Sequence, residues 1–213
     1  MNRKIKVMII DDHTLFRKGL REILLDFPFI EECKEARSGK EALEILSQEK
    51  FDILFLDIAM PDMDGIETLK LIKNRDYQTK ILMLSMYPEE QYAIRALKCG
   101  ASGYITKSAD PEELMRAIEK IIAGGKYVPE AFSEKVLHYI DKSEALSPHE
   151  MLSERELQVF MMIARGKSLV EISRELSISI KTVSTYRARI LEKLNLQNNA
   201  EIINYAIRHG LII

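Results

Sequence analysis

The chain has 213 residues, of which 46% are hydrophobic and 30% are charged, and its formal net charge is −2. No apolar run approaches the roughly 20 residues of a membrane helix, and the opening MNRKIKVMII leads into a strand-like run and acids rather than a signal peptide. The isolated Cys33 and Cys99 exclude a zinc site and a disulfide framework, and they indicate a reducing cytoplasm.

Short apolar segments flanked by polar residues predict strands in the first half of the chain. Residues 5–10, 51–56 and 80–85 have the continuous apolar character of strands that are buried on both faces, as in a parallel sheet. Two weaker segments, residues 31–36 and 103–106, predict two further strands.

Helical patterns lie between these strands. Apolar residues recur every four positions from Leu15 to Leu24, and Ser38 and Glu41 form a capping-box pattern. Asp110 precedes a proline and two acids, as at the start of a helix. Strands that alternate with helices predict a doubly wound α/β fold with a five-stranded parallel sheet over residues 1–125.

The pattern changes after this region. Residues 126–149 predict a linker that contains one short helix, near residues 130–140. Residues 150–213 predict a small all-α domain of four helices, beginning with a capping box at Ser153 and ending at Gly210.

Acidic side chains follow two of the predicted strands. Asp11 and Asp12 follow the first strand, and Asp57 follows the third. Ligands bind beyond the carboxyl ends of an open parallel sheet, at the point where the strand order reverses. Neighbouring strands would bring these carboxylates together, where they would raise one another's pKa unless a divalent cation intervened. Oxygen ligands of this kind favour Mg²⁺.

Two further polar residues occupy equivalent positions on the remaining strands. Ser85 ends the fourth strand, and Lys107 follows the fifth. Carboxylates, a hydroxyl and a lysine around Mg²⁺ predict a site for a phosphoryl group, with a carboxylate as the nucleophile. A lone aspartate after a strand is more often a cap or turn residue, and we expect that role for Asp62 and Asp64. The scattered histidines are expected to have surface or packing roles: His13, His138, His149 and His209.

These motifs together resemble the receiver domain of bacterial two-component response regulators, which has the fold of the chemotaxis regulator. The matching segments are IIDDH, LFLDIAMPDMDG, MLSMY and GYITKSADPEEL, in that order. The resemblance implies that a sensor histidine kinase phosphorylates Asp57. It implies that Asp11 and Asp12 form the acidic pair of a Mg²⁺ site, with Asp57 and the backbone carbonyl of Ala59 as further ligands.

The resemblance also implies residues that respond to the phosphoryl group. Lys107 corresponds to the phosphate-sensing lysine, Ser85 to the switch hydroxyl and Tyr104 to the rotating aromatic residue. In the family, the face around the fourth and fifth strands transmits the change, so that dimerisation, promoter binding or both respond to it.

The C-terminal segment carries a second pattern. Residues 147–213 contain nine lysines and arginines against seven acidic residues, so this part is mildly basic within an acidic chain. A helix-turn-helix lays the outer face of its second helix in the major groove of DNA. The residues predicted to form that face are Lys181, Thr182, Ser184, Thr185, Arg187, Ala188 and Arg189. On charge alone, a solvated surface helix is an equal alternative.

Residues 152–213 resemble the four-helix LuxR/FixJ-type DNA-binding domain. With the receiver motifs, this domain indicates the NarL/FixJ class, and the matching features are Leu-Ser-x-Arg-Glu, Gly166, Ile172, Leu176, Thr182-Val183 and Lys193-Leu194. Within that class, the run Lys-Thr-Val-Ser-Thr-Tyr-Arg-Ala-Arg at residues 181–189 most resembles the GacA/UvrY-like branch. The chain departs from the family pattern at Leu169-Val170, where Asn and Lys are common, and at Ala188, where a basic residue is common.

The resemblance implies a cytoplasmic transcriptional regulator that binds double-stranded promoter DNA, does not associate with membranes and forms a homodimer when active. Residues 202–207 are a candidate dimer surface. The family is not one of enzymes, although its receivers can remove their own phosphoryl group. One alternative is an aspartyl-phosphate enzyme, but such enzymes place an acid where Ala59 stands. The other is an adaptor that binds proteins independently of phosphorylation.

Overall fold

The computed structural model describes residues 4–61, 63–75, 78–86, 90–130, 132 and 147–212. The chain divides into two compact units, Met1–Ser143 and Glu144–Ile213, and each has its own core. Most of the short helix predicted near residues 130–140 lies outside the described residues.

Five strands form the sheet of the first unit: β1 (Ile5–Ile10), β2 (Ile30–Ala36), β3 (Ile53–Asp57), β4 (Lys80–Ser85) and β5 (Gly103–Thr106). They pair in parallel in the order β2-β1-β3-β4-β5. Every residue of β3 is buried, as expected for a central strand covered on both faces. The predicted doubly wound, five-stranded α/β fold is therefore confirmed.

The third strand begins two residues later than predicted. Asp52 stands just before β3, and its carboxylate accepts a hydrogen bond from the backbone N–H of Lys6 at 2.9 Å. This side-chain contact holds Asp52 at the edge of the ladder. At the other end, β3 extends to Asp57, which pairs with Leu84 of β4.

Helices connect the strands of the first unit: α1 (Thr14–Leu25), α2 (Gly39–Leu46), α3 (Gly65–Asn74), α4 (Glu90–Lys98) and α5 (Pro111–Ile122). Their starts follow the capping rules, because Ser38, Asp64 and Asp110 each accept a hydrogen bond from a backbone N–H in the first helical turn. The apolar faces of α1 and α5 pack with one face of the sheet into a single core cluster.

The second unit is helical. A 3₁₀ helix (Pro148–Met151) precedes four α-helices: α6 (Glu154–Ala164), α7 (Leu169–Glu175), α8 (Ile180–Leu194) and α9 (Asn199–Arg208). The capping box predicted at Ser153 and Glu156 is present, and a second one joins Ser168 and Glu171. The predicted four-helix domain is confirmed. Among the described residues, no helix is long and apolar enough to cross a membrane.

Candidate functional site

The carboxyl ends of β1, β3 and β5 bring an acidic cluster and a lysine together. Ile10 pairs with Leu56, so that Asp11 and Asp57 leave neighbouring strands at the same level. The backbone N–H of Lys107 bonds to the carbonyl of Ser85 at 2.7 Å, which fixes the chain just beyond β5 against β4. The order β2-β1-β3 reverses the chain order at this edge, where open sheets bind ligands.

The side chains at this edge are almost completely buried. Asp11 and Asp57 have exposed fractions of 0% and 1%, and the side chain of Lys107 is 3% exposed. The Lys107 Nζ lies 2.7 Å from Asp11 Oδ2 and 2.9 Å from Asp57 Oδ2. One ammonium thus bridges two buried carboxylates, which leaves an excess of negative charge.

The pKa of Asp57 is raised above its ordinary value. Burial is the main cause, and the neighbouring Asp11 carboxylate adds to it, whereas the charge of Lys107 and the N–H of Ala59 oppose it. The Ala59 N–H lies 3.3 Å from Asp57 Oδ1. The carboxylate of Asp57 is therefore poorly solvated, and a cation that entered the site would favour its ionised form.

Three buried carboxylate oxygens converge at this edge beside two basic side chains. Asp11 Oδ2 and Asp57 Oδ2 share the ammonium of Lys107, and Asp12 Oδ1 lies 3.0 Å from Nδ1 of His13. Ligand atoms of Asp11, Asp12, His13 and Asp57 all lie within 4.8 Å of one another. Buried carboxylates that outnumber the cations around them suit a hard divalent cation, because its charge would offset theirs and carboxylate oxygens are the ligands that such cations prefer. The donor set therefore fits a divalent metal ion.

His13 belongs to this cluster, although the sequence suggested only a surface or packing role. Its Nδ1 lies 3.0 Å from Asp12 Oδ1 and 3.2 Å from Asp11 Oδ1, while the side chain is 60% exposed. Its backbone N–H also bonds to Asp11 Oδ1 at 2.7 Å. The signal in the sequence was its position directly after two site aspartates.

Ser85 and Tyr104 lie on the strands that flank this edge. Ser85 is the last residue of β4 and is 1% exposed, one position beyond the residue that pairs with Asp57. Tyr104 lies within β5 and is completely buried, and its backbone N–H bonds to the carbonyl of Tyr127 at 2.9 Å.

The turn after Asp57 depends on a close approach between backbones. The N–H of Gly65 bonds to the carbonyl of Ile58 at 2.9 Å, which folds the start of α3 against the end of β3. A Cβ on Gly65 would collide with the carbonyl oxygen of Asp57. Asp64 caps α3 by accepting the N–H of Glu67 at 2.7 Å, which confirms its expected role; Asp62 lies outside the described residues.

In the second unit, α8 presents the polar face predicted from the sequence. The residues exposed on it are Lys181, Ser184, Thr185, Ala188 and Arg189, whereas Val183, Ile190 and Leu194 are buried. Thr182 is half-buried in the first turn, where its N–H bonds to the capping hydroxyl of Ser179 at 3.0 Å.

Arg187 differs from the other predicted contact residues, because it is held by a neighbouring helix. It is half-buried, and its Nε donates a hydrogen bond to Asn199 Oδ1 at the start of α9. At the unusual position on α7, Val170 is 42% exposed, so an apolar side chain faces solvent there.

The last turn of α8 is joined to α6 by an ion pair that the sequence did not reveal. Lys193 Nζ donates to Glu156 Oε2 at 2.6 Å, and the Ser153 N–H donates to the same oxygen at 2.7 Å. Glu156 is only 2% exposed. Burial acts to raise its pKa, but the hydrogen bonds from Lys193 and Ser153 outweigh it, and the pKa is lowered.

Comparison with known families and proteins agrees with this geometry. Residues 7–119 match the response regulator receiver domain, and residues 150–206 match the luxR family of bacterial regulatory proteins. The response regulator UvrY of Escherichia coli K12 is 36% identical over 208 residues, which cover 97% of this chain and 95% of UvrY. GacA of Pseudomonas aeruginosa is 34% identical over 209 residues, covering 98% of each chain.

Solved structures give the same result. RcsB of Salmonella typhimurium, described for its conformational dynamism in DNA interaction, has a TM-score of 0.59 and 28% identity, and the match covers 96% of this chain and 98% of RcsB. An RcsB–DNA complex has a TM-score of 0.60 and 27% identity, covering 95% and 98%. The chain therefore belongs to the response regulator family, as a receiver domain followed by a LuxR-type DNA-binding domain.

Proposed function

We propose that this response regulator controls transcription through phosphorylation of Asp57 by a partner histidine kinase. The observation that carries the proposal is the placement of a buried carboxylate against the Lys107 ammonium, 2.9 Å away, at the reversal point of the sheet. A carboxylate in this position can act as a nucleophile, and the ammonium can neutralise charge on a transferred group.

In the transfer, an oxygen of Asp57 forms a bond to phosphorus while the bond between phosphorus and the kinase imidazole nitrogen breaks. The electron pair of the broken bond stays on the imidazole nitrogen. Lys107 is positioned to contact the oxygens of the new phosphoryl group, since its ammonium already lies beside Asp57 Oδ2. A separate reaction, attack by water on the phosphorus of this acyl phosphate, would break the P–O bond to Asp57, release inorganic phosphate and restore the carboxylate, so that the domain could remove its own phosphoryl group.

We propose Mg²⁺ as the cofactor of this reaction. Asp11, Asp12 and Asp57 carry three negative charges against the one positive charge of Lys107, and a divalent cation would balance the remaining two. The carbonyl of Ala59 would complete the set of protein ligands. When bound, Mg²⁺ would neutralise charge that develops on the phosphoryl oxygens.

The response to phosphorylation is assigned to Ser85 and Tyr104. Ser85 ends β4 beside the strand of Asp57, where its hydroxyl could follow the phosphoryl group. Tyr104 occupies the next strand and would change its packing when Ser85 moves. A new local charge has a distant effect only when it biases an element with two arrangements, and β4 and β5 are our candidates for that element.

The output of the switch is DNA binding by residues 150–213, with residues 1–125 as the receiver and 126–149 as the linker. The exposed face of α8 offers hydroxyls at Ser184 and Thr185 for base edges and cations at Lys181 and Arg189 for phosphates. The RcsB structures that resemble this chain include dimers bound to DNA and a promoter complex with a phosphomimetic. We expect a cytoplasmic protein that binds promoter DNA as a homodimer, with residues 202–207 as a candidate dimer surface.

Incubation with a small-molecule phosphodonor and Mg²⁺ tests the assignment of Asp57. The wild type should acquire one acid-stable, base-labile phosphoryl group, as measured by intact-protein mass spectrometry. Asp57→Asn should acquire none, and chelation of divalent cations should prevent labelling of the wild type. Asp26→Asn, at an exposed aspartate at the end of α1, is the matched control and should label normally. Labelling of Asp57→Asn would refute the assignment, and rapid phosphate release over many turnovers would indicate an enzyme instead.

A further inference from the structure

The ammonium of Lys107 touches an aromatic ring as well as two carboxylates. Its Nζ lies 4.8 Å from the ring centroid of Phe16, which is a half-buried residue in the first turn of α1. At this distance the negative face of the ring attracts a cation, and the attraction is stronger where the cation is desolvated, as Lys107 is. No motif of the sequence indicated this contact.

Open space lies beside the same lysine. A cavity of about 200 Å³ between α1 and α5 is lined by both Phe16 and Lys107, together with apolar residues that include Ile23, Ile105 and Leu114. Its rim at Gly19 is also open, because a Cβ there would meet no atom within 4 Å. The packing on this side therefore leaves the flexible stem of Lys107 room to adopt other rotamers.

The backbone beside Phe16 is tied to the strand ends that carry the acidic cluster. The next residue, Arg17, donates from Nη1 to the carbonyl of Asp11 at 2.7 Å and from Nε to Glu35 Oε2 at 2.8 Å. These bonds join the first turn of α1 to the ends of β1 and β2. Phe16 thus moves with the strand end that carries Asp11, whereas Lys107 follows a different strand.

We propose that Phe16 is a positioning residue for Lys107, whose ring holds the ammonium over Asp57 and away from the adjacent cavity. The inference rests on the proposed phosphorylation of Asp57. A lysine that is ordered before the phosphoryl group arrives loses less side-chain entropy when it binds that group. Removing the ring should therefore weaken the binding of a phosphoryl mimic, even where the fold is intact.

Beryllofluoride, which mimics a phosphoryl group on a carboxylate, is the probe for the test. Its affinity in the presence of Mg²⁺ would be measured by isothermal titration for the full-length protein and its variants. Phe16→Leu and Phe16→Met keep an apolar side chain but lack the ring, and they should bind about five- to tenfold more weakly. Phe16→Tyr keeps the ring face and should bind within about twofold of the wild type.

Two comparisons separate positioning from packing. Ile23→Ala enlarges the same cavity from the same face of α1 and should leave the affinity unchanged. In a Lys107→Met background, Phe16→Leu should have no further effect, because the residue through which it acts is gone. The proposal is overturned if Phe16→Leu binds as the wild type does, if Phe16→Tyr loses as much as Phe16→Leu, or if the loss persists without Lys107. If the wild type itself does not bind beryllofluoride, the proposed function fails, and this inference with it.

Discussion

Asp57 is a buried carboxylate that lies in a cluster with too few positive charges. Lys107 bridges Asp57 and Asp11, so the three groups together carry one excess negative charge when both acids are ionised. Burial raises the pKa of Asp57 above its ordinary value of 3.8. The burial of Asp57 among these charges therefore comes at a cost to the stability of the protein when no metal ion is bound.

Asp57→Asn should therefore stabilise the metal-free protein by about 1–3 kcal/mol at neutral pH, because it removes the excess buried charge and leaves Asp11 paired with Lys107. Between pH 3.8 and the raised pKa of Asp57, the native state binds more protons than the unfolded state. The wild type consequently loses stability as the pH rises through this range, and the advantage of the variant should shrink as the pH falls towards 4. Urea unfolding with a chelator present, at a series of pH values, measures this difference. A variant that is less stable than the wild type at neutral pH would contradict the account.

Gly65 sets the position of the Asp57 backbone. We expect Gly65→Ala to destabilise the first unit by about 2–4 kcal/mol, because the new methyl group would collide with the carbonyl of Asp57. Gly19→Ala is the control, since its methyl group meets open space within a helix and should stabilise the protein by about 0.5–1 kcal/mol. Chemical denaturation of both variants gives the comparison, and similar effects of the two substitutions would show that the steric argument is wrong.

The sequence predicted which residues would leave the strand ends together, but it did not predict all of their contacts. The positions of Asp11, Asp57 and Lys107 at one edge of the sheet follow from the apolar strand pattern and from the parallel arrangement of the strands. His13, which precedes α1, and Phe16, in its first turn, reach the same cluster through the directions of their side chains, and a one-dimensional pattern carries no information about those directions. Their helical or turn positions alone suit packing equally well.

At the level of elements, α6 and α8 are joined by an ion pair between a buried carboxylate, Glu156, and an exposed lysine, Lys193. Glu156 of α6 accepts hydrogen bonds from Lys193 of α8 and from the backbone of Ser153. A buried carboxylate that loses one of its donors is left partly unsatisfied. This contact therefore couples the first helix of the DNA-binding domain to the helix that bears the predicted DNA-contacting face.

Lys193→Met should destabilise the DNA-binding domain by about 1–2 kcal/mol at neutral pH. Because the pKa of Glu156 is lowered in the folded protein, the contribution of the pair is present above the ordinary pKa of 4.5 and is lost as the pH falls below it. The control is Lys167→Met, which breaks an exposed pair with Glu175 and should cost about 0–0.5 kcal/mol. Thermal unfolding at neutral pH and near pH 4 distinguishes the two variants. Equal losses of stability in Lys193→Met and Lys167→Met would refute the role assigned to the burial of Glu156.

The exposed face of α8 should act on DNA mainly through charge. Arg189→Ala should weaken binding to duplex DNA of any sequence. It should also reduce the slope of log affinity against log salt concentration by about one, since one fewer counterion is released. Arg187→Ala should also cost about 1 kcal/mol of domain stability, because Arg187 is bonded to Asn199. The control for Arg189→Ala is Arg208→Ala, at the end of α9, which should leave the slope of log affinity against log salt unchanged. Measuring the DNA affinity of each variant over a range of salt concentrations tests the role of Arg189. An unchanged slope for Arg189→Ala would contradict a phosphate contact by this residue.

Helix boundaries were the part of the fold that local sequence determined best. Ser38, Asp110 and Ser153 each cap the helix they were predicted to begin, since a cap depends on neighbours within one turn. The start of β3 was less predictable, because Asp52 is held by Lys6, which lies 46 positions away in the chain. Long-range contacts of this kind leave no local periodicity.

The whole molecule consists of a receiver domain and a LuxR-type DNA-binding domain, which belong to two compact units. The first residues of the predicted linker pack on the receiver: Tyr127 forms a bridge to Gly103 of β5, and Val128 and Phe132 contact Ile94 and Leu97 of α4. The segment after the receiver thus begins on β5 and α4. Changes in β4 and β5 would therefore be close to the start of the connection.

In the proposed function, phosphorylation of Asp57 controls DNA binding. The most direct test is to map the genomic DNA fragments bound by the purified protein, with and without a phosphodonor, for the wild type and for Asp57→Asn. The wild type should bind a defined set of sites whose occupancy changes with the phosphodonor, whereas the occupancy of these sites by Asp57→Asn should stay constant. Equal responses of the two proteins would contradict the switch, and the absence of bound fragments in both states would contradict regulation through DNA.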